Sequence, residues 1–274
     1  MEGNGELFQG DEKMNTSYAR CIILPGSLAI FVAVWWAIAA AVNNSREIVG
    51  PYQTGTAFVS LFTDPPLTRL MAAGLQVTMT SILLGFALAA VVGVPIGVLM
   101  GRYLIVDLFC DPWVNIWYSI PAIAFVPLAM NWTGVSATSS VLIAFLITVF
   151  TIIINVYGGV KNISGSLVDC GVAYGATQTQ IMTKIILPAT LPNIMVGLRL
   201  GISRAIEGVI IAEMVFTVVG IGGLMDDAAD NLQLALSGAL IIVLAIISLS
   251  LAEVMKFITR RAVAWKESQA MIRE

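Results

Sequence analysis

LMAAGLQVTMTSILLGFALAAVVGVPIGVLM, residues 70–100, carries no charged side chain. A helix needs roughly 20 mostly apolar residues to cross a bilayer, and this run exceeds that. Five more stretches meet the same requirement, at 21–42, 112–130, 137–158, 191–219 and 233–255. None alternates at period two, so a barrel is disfavoured, and helices are the remaining way to pair every backbone group inside lipid. The expected fold class is therefore an all-α membrane protein of about six transmembrane helices. The runs at 70–100 and 191–219 are longer than a span needs, which implies tilt or a break.

Composition agrees. The chain of 274 residues is 58% hydrophobic and 11% charged, with a mean hydropathy of +0.91. A soluble domain carries about 25% charged residues. The net charge of −3 offers no basic face for nucleic acid. With no histidine, His-ligated metals and His general bases are excluded. Cys21, Cys110 and Cys170 are scattered and form no disulfide framework.

Basic residues set the orientation. With six spans, Lys13, Arg20, Arg102, Lys161, Lys184, Lys256, Arg260, Arg261, Lys266 and Arg273 share a side, against Arg46 and Arg69 on the other. The positive-inside rule then puts both termini in the cytoplasm. The acidic outer loop at 226–230, with Asp226, Asp227 and Asp230, agrees. The domain reading is a polar cytoplasmic tail at 1–20, a transmembrane domain at 21–258, and a cytoplasmic tail at 259–274. The apolar run after Arg20 shows no small-residue cleavage site, so it reads as a span and not as a removable signal. Gly93, Gly97 and Gly101 recur every four residues and form a small-residue stripe, either for packing within the chain or for a subunit interface or gate.

Between the fourth and fifth spans runs SLVDCGVAYGATQTQIMTKIILP, residues 166–188. A plain connector needs only about 2–8 residues. Val168, Val172, Ile181, Ile185 and Ile186 follow broadly helical spacing, and Gly175 with Ala176 marks a bend between two short helices. Pro188 and Pro192 punctuate the start of the fifth span. Lys184 is the lone cation, where a helix lying on the membrane surface would carry many.

Asp169-Cys170-Gly171, then Gly175, then nine residues, then Ile185-Ile186-Leu187-Pro188, resembles the EAA motif of ABC importer permeases. Asp169 stands for the motif's Glu, and Cys170 and Gly171 for its alanines. The resemblance extends through Leu191-Pro192-Asn193-Ile194, Gly197-Leu198-Arg199, Arg204-Ala205, Ile211-Ala212-Glu213-Met214 and Gly220-Ile221-Gly222-Gly223-Leu224. This set looks like the branch handling nitrate, sulfonates, taurine and related small solutes, and it covers about residues 65–258. It implies a type I ABC importer permease fold in a bacterial inner membrane. Residues 165–190 would form the coupling helices, with Asp169, Cys170, Gly171, Gly175, Ala176, Ile185, Leu187 and Pro188 engaging an ATPase subunit. The implied partners are a second permease copy, two ATPase subunits and an external solute-binding protein. The branch is chemically broad and does not carry over a substrate; the expectation of a small anionic solute rests on Arg204, which would attract an anion such as nitrate or a sulfonate if unpaired.

No Gly-x4-Gly-Lys-Ser/Thr loop occurs, so no cofactor is expected in this chain, ATP and Mg belong to the partner ATPase, and the chain is no enzyme in isolation. The candidate pathway residues are intramembrane. Arg204, Glu207 and Glu213 lie in the fifth span, where each charge costs about 2.5–3.5 kcal/mol on insertion scales and faces an interior or a water path. Arg204 and Glu207 either pair structurally or meet solute. In the third span, Asn115, Tyr118 and Ser119 stand near Pro121 and Pro127, two prolines that predict a bent helix. Trp113 and Trp132 fit an interfacial belt. The rival reading is an ATP-independent transporter or channel using Arg204, Glu207 and Glu213.

Overall fold

The computed structural model describes residues 5–42, 48–216 and 220–270, and within them side chains from Ile23 to Val263 with few exceptions. Helices account for nearly all of it, and no strand occurs among the described residues. In chain order they are α1 (Gly5–Val42), α2 (Pro51–Thr63), α3 (Pro65–Arg102), α4 (Leu104–Ser119), α5 (Val126–Thr133), α6 (Ala137–Lys161), α7 (Gly165–Ala173), α8 (Gln178–Gln180), α9 (Leu187–Phe216), α10 (Ile221–Asp230) and α11 (Leu234–Ala270). Helical backbone thus extends into both segments read as tails.

Among the described residues, five helices are long and apolar enough to cross a membrane, within α1, α3, α6, α8–α9 and α11. The sixth candidate span is a bent pair of helices. α4 and the segment Ala122–Thr133 meet at 99°, with Ile120 and Pro121 at the corner and a 3-10 turn over Ala122–Phe125. Pro121 supplies no backbone N–H, so α4 stops before it. The third expected span is therefore two helices, and it starts earlier than 112, at Leu104.

α3, α6 and α9 form the core, and small residues set their spacing. A Cβ on Gly97 would come 2.8 Å from Val156 Cβ, and one on Gly93 3.1 Å from Ile152 Cβ. Gly101 faces Val160 in the same way, and Gly85 faces Ala144. The glycine stripe of α3 thus packs within the chain, against α6. On the other side of α6, Gly201 meets Ile152 and Thr148, and Gly208 meets Ala144. Ile152, Val156 and Ala144 are fully buried between the two partners. In contrast, the spanning part of α1, Pro25–Val42, has no buried residue, and Trp35 Nε1 donates 2.9 Å to Val49 O.

One element is new and two sequence expectations are corrected. α2, at 13 residues, is too short to span, and it buries Leu61 and Thr54 against α3 and α11. The acidic stretch 226–230 is not a loop but the last half of α10. Pro188 and Pro192 do not interrupt the chain, because helix runs on from Gln178 to Phe216. A π-helical stretch at Ile181–Ile186 precedes Pro188, with the Leu187 N–H reaching back to Met182 O. That register shift accommodates a ring with no donor.

Candidate functional site

At one end of the bundle, α7 and α8 form a hairpin-like knob. α7 ends at Ala173, and Gly175 adopts φ 73, the left-handed region that glycine enters without a Cβ penalty. Gly175 N–H and Ala176 N–H close the turn on Val172 O and Gly171 O. Thr177 then caps α8, accepting from the Gln180 N–H at 3.3 Å, while Gln180 Oε1 accepts from the Thr177 N–H at 2.9 Å.

The knob folds onto the start of the long helix. Gly171 is buried against Ile185 and Ile181, and Ile181 and Ile186 are themselves buried. Asp169, Cys170 and Gly175 are exposed, Ala176, Ile185 and Leu187 are half-buried, and Pro188 is exposed. The motif residues therefore split into a packed set that shapes the knob and an exposed set at its surface. Beside the latter project Val172 and Tyr174, the second 91% exposed. Arg102 Nη2, at the end of α3, donates 2.8 Å to Gln178 Oε1, and Lys161 at the end of α6 pairs with Asp107 of α4 at 2.9 Å. These contacts tie the knob's base and the ends of three helices together.

Midway along α9, a cavity of about 470 Å³ opens between α4, the 3-10 turn, α6 and α9. Tyr118, Ser119, Arg204 and Glu207 line it together, with Trp117, Phe125 and Phe150 among its apolar walls. Trp117 stacks between Phe125 (centroids 5.5 Å) and Phe150 (6.3 Å), so it is a fixed wall. The 99° corner brings Tyr118 and Ser119 towards α9. Arg204 Nη1 donates 2.8 Å to Glu207 Oε2, and both side chains are 46% exposed. The pair thus stands in an open, hydratable space, which lowers the cost of placing charge there.

Two candidate pathway residues lie elsewhere. Asn115 does not line the cavity; its Nδ2 donates 2.9 Å to Asp111 O and Oδ1 one turn back. Glu213 is fully buried towards the opposite end of α9 from the knob. Thr78 Oγ1 donates to its carboxylate, at 2.9 and 2.8 Å from the two oxygens, and the Gly222 N–H donates at 3.0 Å. Helical spacing carried that signal: Glu213 follows Arg204 by nine residues, about two and a half turns, which places it on the opposite face. Sequence reasoning also missed Thr78, which lies inside a featureless apolar run.

Comparison with known proteins sets this architecture in context. The taurine transport system permease protein of Escherichia coli (strain K12) is 29% identical over 246 residues, covering 88% of each chain. A putative aliphatic sulfonates transport permease of Bacillus subtilis (strain 168) is 28% identical, covering 90% of this chain and 87% of its own. The nitrate import permease protein of Leptolyngbya laminosa is 26% identical, covering 88% of both. Among solved structures, the inward-facing MetNI methionine ABC transporter aligns with a TM-score of 0.64 at 19% identity, over 73% of this chain and 99% of that one. The fold is that of type I ABC importer permeases. A family profile matches residues 93–264, the knob, the cavity and α10 included, and on that match the chain belongs to the binding-protein-dependent transport system inner membrane components.

Proposed function

We propose that this permease subunit lines the path of a small anionic solute. A separate ATPase would drive it through the α7–α8 knob, and an external binding protein would deliver the solute. The observation that carries the reading is mechanical. Continuous helical backbone from Gln178 to Phe216, with its π-helical stretch at Ile181–Ile186, begins in the knob and presents Arg204 to the cavity. Helices are stiff over this length, so a displacement of the knob reaches Arg204 as a rotation of α9, not as a local loop adjustment. Exposed Tyr174 and Val172 give a groove-seeking apolar tip of the kind that a partner protein covers.

Arg204 favours an anion. Its guanidinium spends one edge on Glu207 and keeps further N–H donors for a ligand. The relatives named for taurine, aliphatic sulfonates and nitrate all point to oxyanion cargo. A cavity in a single chain offers one wall of a path, and a second copy of the chain completes it in this reading. The positive-inside rule, applied to the basic residues that the sequence reading gathers on one side, supports a cytoplasmic knob and cytoplasmic termini in a bacterial inner membrane.

The test is reconstitution of the chain in vesicles, with and without a candidate ATPase, following uptake of labelled taurine, nitrate and an alkanesulfonate. Uptake that requires both ATP and the ATPase is expected. Uptake by the chain alone would establish the ATP-independent rival, although Glu213 lies away from the Arg204–Glu207 cavity and the three form no continuous relay.

A further inference from the structure

α10 has a buried N-terminus and no cap of its own. Its N-cap residue is Gly220, which offers no side chain, while Ile221, Gly222 and Gly223 are all buried. The first N–H groups of any helix lack intrahelical acceptors, and water does not reach these. Their acceptors come from two other helices. The Ile221 N–H donates 2.9 Å to Thr78 Oγ1 of α3, and the Gly222 N–H donates 3.0 Å to Glu213 Oε2 of α9. Thr78 donates its own hydroxyl hydrogen bond to the Glu213 carboxylate, so a single hydroxyl joins all three elements.

The glycines make the approach possible. A Cβ at Gly220 would collide with the Glu213 carboxylate, and one at Gly222 would lie 2.7 Å from Glu213 Cβ. On α3, one turn before Thr78, a Cβ on Gly74 would lie 3.2 Å from the Gly220 carbonyl carbon. No ion pair among the described residues involves Glu213. Its charge is met by the positive end of the α10 dipole and by the Thr78 hydroxyl. Moving α10 away would strand a carboxylate in an apolar interior together with two unpaired N–H groups.

We propose that Glu213 and Thr78 are positioning residues that latch α10 to α3 and α9, so that this outer helix moves with α9, the lever helix, as one body. The far end of α10 exposes Asp227 and Asp230. A push or pull on that acidic surface therefore passes through Glu213 into α9, and along α9 to the knob. The consequence for transport rests on the ABC-permease reading; the latch itself does not.

Two arms separate these. In the full chain, with its cysteines replaced and placed in lipid nanodiscs, spin labels at Ala229 on α10 and Leu84 on α3, both exposed, report the latch directly. A single narrow distance distribution is expected for the parent. Thr78→Val and Glu213→Ala should broaden it, while Thr78→Ser, which keeps the hydroxyl, should leave it narrow. Thr78→Val is nearly isosteric, so it decides the matter if Glu213→Ala fails to insert. A distribution for Thr78→Val as narrow as the parent's overturns the latch. In the second arm, ATP-driven uptake in vesicles should fall about ten-fold or more with Thr78→Val and recover with Thr78→Ser. Absence of ATP-driven uptake in the parent would count against the ABC reading and leave the distance result standing. Parental uptake by Thr78→Val would overturn the transport role.

Discussion

Gly171 of α7 lies so close to Ile185 that a Cβ added to it would come 2.5 Å from Ile185 Cδ1. The knob exists as a shaped body because this contact lets α7 fold flat onto the start of the lever helix. A residue as large as leucine at position 171 must displace both the Ile185 side chain and α7, and overpacking of this kind costs about 1–3 kcal/mol. Ile185 packs at the edge of the cluster that holds Val156, Val160, Ile181 and Ile186, so the disturbance is local to the knob and Gly171→Leu should still insert in the membrane. ATP-driven uptake in vesicles should nonetheless collapse. Parental uptake by Gly171→Leu would remove the knob from the mechanism.

Gly175 presents the complementary case. Nothing lies within 4 Å of where its Cβ would sit, so its constraint is the backbone, at φ 73. A β-branched residue there carries a left-handed penalty of roughly 1–2 kcal/mol, whereas Asn tolerates that conformation. Gly175→Val should let ATP hydrolysis continue while transport per ATP falls, and Gly175→Asn should stay near the parent. Measuring hydrolysis and uptake on the same vesicles checks this. Equal behaviour of Val and Asn would show that the turn conformation is irrelevant.

The α3–α6 seam should be intolerant at its stripe and permissive one face away. Gly97→Leu meets Val156 Cβ at 2.8 Å and Ile153 O at 2.9 Å, so it cannot fit without separating the helices. Gly158→Ala, on α6, meets nothing within 4 Å and removes a helix-weakening glycine, a gain of roughly 0.5–1 kcal/mol. The thermal midpoint of the purified chain in detergent should drop for Gly97→Leu and rise slightly for Gly158→Ala. A reversed order would mean that α3 and α6 do not pack as described.

Why these features were unequally legible follows from where their stabilisation comes from. The long spans and the Gly175 bend depend on local properties, apolar length and glycine's torsional freedom, and both are written in contiguous residues. The corner at Pro121 was likewise foreshadowed by its ring. α10 was not, because IGGLMDDAAD has the glycine and aspartate content of a loop. Its N-terminus is capped by Thr78, 143 residues before Ile221 in sequence, and no local pattern encodes that. Glu213 was grouped with Arg204 and Glu207 because all three are charges in one apolar helix. The cavity holds only the two that share a face, and the third serves the opposite one.

The last prediction concerns that shared face. If Arg204 and Glu207 serve only each other, exchanging them should restore whatever either single change destroys, because an i,i+3 pair is worth about 0.2–0.5 kcal/mol and the exchange puts the acid N-terminal to the base, the more favourable order. If Arg204 also meets the solute, exchange moves the guanidinium by nearly a helical turn, about 4.5 Å along α9, and the oxyanion loses its donor at position 204. Arg204→Gln should therefore cut ATP-driven uptake at least about ten-fold while the chain inserts normally, since the lost surface pair is worth too little to unfold it. Glu207→Gln should cost less, because it frees the guanidinium instead of removing it. The double exchange, Arg204→Glu with Glu207→Arg, should insert normally and remain inactive. Recovery of uptake in the exchanged chain would reduce the pair to a structural one and send the search for the solute's contact to other walls of the cavity.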